Sequence, residues 1–142
     1  MKKYYIFNIK KDVNKLYYDN PSNLYKILEK IYFMHEEDLN YGFNLFKELT
    51  NKIKVFEIND LLYTKLHNDL VYSKVDNEHV INDLYQGEIS ILKVKPSHLL
   101  LESNKSYSCF FNLLSHNTNY FVCDFMEKDF FFINDIKNLI NS

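Results

Sequence analysis

Five histidines, two cysteines and an acid set inside an apolar run are the residues here whose types could carry chemistry, as proton-transfer groups, metal ligands or nucleophiles. His35 precedes Glu36, Glu37 and Asp38, all metal-ligating types. Consecutive side chains on a helix point in different directions and do not converge on one ion, so this run reads as the charged start of a helix. His67 and Asp69 stand two apart, a spacing that shares a face only on a strand, in a segment patterned as a helix end, and they read as a surface pair. His79, His98 and His116 sit in no recognisable motif. Asp124 lies within the apolar segment Tyr120 to Phe125, where an acid is either a hydrogen-bonded structural group or a functional carboxylate. Lys128 and the adjoining turn are at hand to satisfy it, which favours the structural role. Cys109 and Cys123 have apolar neighbours and no further Cys or His at metal spacing, the pattern of buried reduced thiols.

Other chemistries are excluded by what is missing. Gly42 and Gly87 are the only glycines, so neither a phosphate-cradling loop nor a nucleophile elbow can be written. All seventeen cations are lysines, and without guanidinium no bidentate clamp forms on phosphate, carboxylate or guanine. Net charge is −2 and the lysines are dispersed, unlike the basic stripe of a nucleic-acid binder. No catalytic, cofactor-binding or metal-ligating residue is therefore assigned. An enzyme reading survives only if Asp124, His116 and a tyrosine meet in one concave pocket. The opening apolar run is too short and broken for a signal peptide and no run of about twenty apolar residues follows, so a cytoplasmic location away from membranes is expected.

The elements that must position these residues follow from apolar spacing. Tyr4 to Ile9, aromatic and β-branched, predicts a first strand. A short helix follows, with Val13, Leu16 and Tyr17 on one face. Asn20-Pro21 opens a helix bearing Leu24, Ile27, Leu28 and Ile31, and Glu36 to Asp38 heads another bearing Leu39, Phe43, Phe46, Leu49 and Ile53. Asn59-Asp60 suits the cap of a shorter helix through Leu62 and Leu66, followed by a strand at Leu70-Val71-Tyr72, while residues 76–86 are ambiguous. Ile89 to Val94 and His98 to Leu101 predict strands joined at Lys95-Pro96-Ser97. Tyr107, Phe110, Phe111 and Leu114 have helical spacing, ended by a polar run over 115–119. A hairpin of Tyr120 to Phe125 and Phe130 to Ile133, apolar on both faces, suits strands covered by helices. The prediction is a single α+β domain over 1–142, with a mainly antiparallel sheet and several helices packed on it. Twelve Phe and twelve Tyr remain, with Tyr17, Tyr18, Tyr25, Tyr32 and Tyr41 crowding the first third. Tyrosine suits interfaces, but most of these are expected in the core, and a protein partner is the best-fitting activity.

The opening Tyr4-Tyr5-Ile6-Phe7-Asn8-Ile9-Lys10 and the close, Phe110-Phe111-Asn112-Leu113-Leu114 through Asp124-Phe125 to Ile133-Asn134, resemble the sporulation inhibitor of replication family, SirA. That family has a Tyr-Tyr strand, a short aromatic-bearing helix, a helical middle, then hairpin, helix and hairpin. Phe121-Val122-Cys123-Asp124-Phe125 after a polar break is the best local match, whereas Phe131 to Asp135 departs from the family's Gly-Trp-Leu-Asn-Pro-like ending. The resemblance implies a SirA-like domain that needs no cofactor and contacts no nucleic acid directly. It implies binding to the N-terminal domain of the initiator DnaA, which restrains initiation at the origin. The family's partner-binding positions fall on Val13, Tyr17 and Leu45, with Val13 smaller than the family's Phe and Leu45 replacing a polar residue. The alternatives are the same fold serving another cytoplasmic protein, or a small enzyme, and the oligomeric state is open.

Overall fold

The computed structural model describes residues 1–117 and 119–136. In chain order it runs β1 (Lys2–Asn8), α1 (Lys11–Tyr17), α2 (Pro21–Tyr32), α3 (Leu39–Leu49), α4 (Val55–Leu66), β2 (Tyr72–Val75), β3 (Glu78–Asp83), β4 (Glu88–Val94), β5 (Leu99–Ser103), α5 (Cys109–Leu114), β6 (Tyr120–Asp124) and β7 (Asp129–Phe132). The strands form one seven-stranded sheet in the order β2-β3-β4-β5-β1-β6-β7, with every neighbouring pair antiparallel. This is the α+β architecture expected.

Strand side chains alternate between faces, and here both faces are covered. On one, Tyr4 and Ile6 of β1 join Leu92, Leu101 and Val122 beneath Leu62 of α4 and Phe110, Phe111 and Leu114 of α5. On the other, Phe7, Phe121 and Phe132 meet Leu24, Tyr25 and Leu28 of α2 and Leu49 of α3. Burial on both sides explains why β6 is apolar without alternation: all five of its residues are buried. Ring stacking seats α2, with Tyr25 over Phe130 at 4.8 Å and Tyr32 over Phe125 at 4.5 Å between centroids.

Helix starts follow their expected chemistry in part. Pro21 occupies the first turn of α2 after Asn20, whose backbone carbonyl accepts from Asn23 N–H at 3.2 Å. Ser108 caps α5, its hydroxyl oxygen accepting from Phe110 N–H at 3.3 Å. Glu36 to Asp38 form a 3₁₀ turn that leads into α3. Gly42 is buried in α3, where a Cβ would lie 2.5 Å from Met34 Sδ, so the absence of a side chain lets Met34 pack against the helix.

Four local expectations are corrected. Leu16 is exposed, because the core cluster reaches only the Val13 and Tyr17 side of α1. α3 stops at Leu49, and Ile53 reaches the core from the segment after it. α4 starts at Val55, so Asn59 is interior to the helix rather than its cap. The strand expected at Leu70 begins at Tyr72, with Leu70 fully exposed in the preceding turn. The ambiguous stretch is a β-hairpin: β2 and β3 pair from Val75–Glu78 outward across Asp76-Asn77, with Asp76 at φ 53° as such tight turns require. Thr118, within the polar run after α5, lies outside the described residues.

Candidate functional site

The groups with catalytic potential are dispersed and structurally occupied. Asp124 is buried at the end of β6, and its Oδ1 accepts from the Met126 and Glu127 N–H groups at 3.2 and 3.1 Å. It holds the β6–β7 turn as expected, through turn backbone rather than Lys128. His116 is exposed beyond α5, next to the start of β6, while Asp124 ends that strand. Among the described residues, the cavity that Asp124 lines includes Tyr5 and Tyr32 but not His116. His67 closes α4, with Nδ1 2.9 Å from Tyr63 O, and Asp69 Oδ1 accepts from Val71 N–H at 3.2 Å. Among the described residues no three His, Cys, Asp or Glu side chains converge as metal ligands. Burial raises the thiol pKa of Cys123 and pushes that of Cys109 up to about 12, with the Glu88 carboxylate adding to the latter.

Two buried polar networks were not legible in the sequence. His79, fully buried, has Nδ1 2.7 Å from Tyr72 Oη and Nε2 2.7 Å from Asn59 Oδ1. Glu88, also buried, accepts through Oε2 from Ser108 Oγ at 2.8 Å and Cys109 N–H at 3.2 Å, as well as from Ser90 Oγ. Each joins elements distant in sequence, so no local motif announces it. Both are satisfied by neutral donors and acceptors and expose no reactive atom to a cleft.

The three residues expected at a partner interface all border one core cluster. Val13 and Tyr17, a turn apart on α1, and Leu45 on α3 are all half-buried and pack on one cluster, the one containing Leu24, Leu28 and Leu49. Backbone bonds tie the start of α1 to the end of α3: Lys10 N–H donates to Leu49 C=O at 2.9 Å and Asn51 N–H to Asn8 C=O at 2.8 Å. α1 buries no residue completely, and Leu16 and Tyr18 beside Tyr17 are exposed. The tyrosines depart from the core expectation, since Tyr25 is buried but Tyr18, Tyr32 and Tyr41 are exposed.

On the other flank of α3 lies a groove of about 630 Å³, floored by Tyr5, Phe7 and His98 and walled by Tyr32, Phe43 and Phe46. Among the described residues no Asp, Glu, Lys or Arg lines it. Burial lowers the His98 pKa to about 4, helped by Lys95, so its ring is neutral at pH 7. The groove has no local sequence signature, because its walls come from α2, α3, β1 and the β4–β5 turn.

Sheet and helices thus define an α+β protein that presents a helical, aromatic-rich face. No curated protein matches the chain. The family model of the sporulation inhibitor of replication protein SirA matches residues 2–137, and the chain belongs to that family. Among the described residues no helix is long and apolar enough to cross a membrane.

Proposed function

We propose that this protein restrains chromosome replication by docking its α1–α3 face on the N-terminal domain of the initiator DnaA, in the cytoplasm. The observation that carries this reading is the family match across residues 2–137, which takes in both helices. The backbone bonds that join the start of α1 to the end of α3, and the packing of Val13, Tyr17 and Leu45 on one cluster, support it. Tyr17 is the expected anchor: a large amphipathic ring, half-buried and held from behind by the cluster. The whole chain acts here as one SirA-like domain, without catalysis or cofactor.

The test is calorimetric titration of the host's DnaA N-terminal domain with wild type and Tyr17→Ala, circular dichroism confirming that the variant is folded. Loss of a buried aromatic anchor commonly costs about 2 kcal/mol, a weakening of roughly thirtyfold. Binding by wild type that Tyr17→Ala leaves undiminished removes α1 from the interface. No binding by wild type removes DnaA, leaving the same fold serving a different protein partner.

A further inference from the structure

Helix α3 has two apolar flanks with different fates. Leu45 sits on one, packed with the cluster that also holds Val13 and Tyr17. On the other, Leu39 and Phe43 belong to the same apolar repeat yet are 51% and 57% exposed beside the uncharged groove. One turn further on, Lys47 Nζ lies 4.3 Å from the centre of the Phe43 ring. At 3.6 residues per turn, Leu39, Phe43 and Lys47 fall within about 80° of one another, and Leu45 points about 200° from Phe43. The 3₁₀ turn at the head of the helix exposes Glu36, Glu37 and Asp38. Along its length the exposed stripe therefore runs acid, Leu, Phe, Lys.

A stripe with that polarity is complementary to itself in reverse. We infer that α3 is a self-association surface: a second copy of the chain lays its own α3 antiparallel on the first, about a two-fold axis passing near residues 41 and 42. In that register Glu36 meets Lys47 of the second copy at both ends, and Leu39 and Phe43 of each copy cover those of the other over the mouths of the two grooves. The charges favour a second copy over an unrelated helix because both halves of the match are present in this one sequence, in the order an isologous contact requires. The contact rests on one helical stripe, so it is weak, depends on concentration and is screened by salt. It lies on the opposite flank of α3 from Leu45 and leaves the α1–α3 face free.

Sedimentation equilibrium of the full chain between roughly 1 μM and 1 mM, the range of weak contacts, tests this. A monomer–dimer equilibrium that weakens as sodium chloride is raised is expected. Phe43→Asp should abolish it with an unchanged far-ultraviolet circular dichroism spectrum, and Tyr17→Ala should leave it as in wild type. The double variant Glu36→Lys, Glu37→Lys should weaken it about tenfold, and adding Lys47→Glu should restore it. A chain that is monomeric at every concentration, a dimer that survives Phe43→Asp, or a charge reversal that Lys47→Glu fails to rescue overturns the inference.

Discussion

Acidification from pH 7 to pH 4 should remove about 3 kcal/mol of stability through His79 alone. The ring is fully buried between β3 and α4. Asn59 Nδ2 donates to Asn77 Oδ1 at 2.8 Å, which turns the Asn59 carbonyl oxygen toward the imidazole at 2.7 Å from Nε2. Nε2 therefore carries the proton, and Nδ1 accepts from the Tyr72 hydroxyl at 2.7 Å. Both nitrogens are satisfied in the neutral ring. A second proton would place a charge in a desolvated site directly across the β2–β3 pair from Lys74. Burial first, and Lys74 second, lower the pKa from 6.5 to about 4. Between those values the unfolded chain holds a proton that the folded chain refuses. Stability is accordingly complete above pH 6.5, falls by about 1.2 kcal/mol per pH unit as pH drops toward 4, and levels off below. The whole loss is a large share of a typical stability of about 5–15 kcal/mol. His98, its pKa also lowered to about 4, titrates in the same window, so the informative quantity is the difference between wild type and His79→Gln. Urea unfolding of both from pH 7.5 to 4.5 should give a steeper decline for wild type. Parallel pH curves, or an NMR titration placing His79 near 6.5, would refute the reasoning.

Asp124→Ala leaves the Met126 and Glu127 N–H groups without their acceptor and should cost about 2 kcal/mol in urea unfolding, with Asp124→Asn milder because its carbonyl can still accept. A change under half of that for Asp124→Ala would show the turn to be held by other contacts. Half-buried Cys109, its thiol pushed up to about 12, and buried Cys123 should resist maleimide at pH 7.5 until urea unfolds the chain; rapid labelling of the native protein would contradict this protection.

Much of this fold was readable from residue pattern. Phe110, Phe111 and Leu114 repeat at helical spacing and Ser108 supplies a local cap, so α5 needs nothing distant to define it. The final hairpin was legible because a continuous apolar run with turn residues in its middle has few alternatives. The start of α4 was misplaced because Asn59 is a good capping type, and its engagement with His79, twenty residues on, has no local signature. The apolar character of Leu70 suggests a strand, but only pairing partners create one, and β3 offers none at that position. Of the candidate site, Val13 and Tyr17 were placed by the family resemblance, and their shared face followed from their spacing on α1.

The sequence by itself determined the kinds of element, the α+β class, the lack of a phosphate loop or nucleophile elbow, and the family. Tertiary structure alone decided which aromatic residues are covered. Periodicity states that Leu39, Phe43 and Phe46 share one side of a helix, but whether another element lies against that side depends on where distant chain segments come to rest. The α2–α3 pair leaves Leu39 and Phe43 uncovered beside the groove, while Tyr25, equally aromatic, is buried against the sheet. The same limit applies to His79, whose proton affinity is set by desolvation, and desolvation belongs to the assembled surroundings rather than to neighbours along the chain.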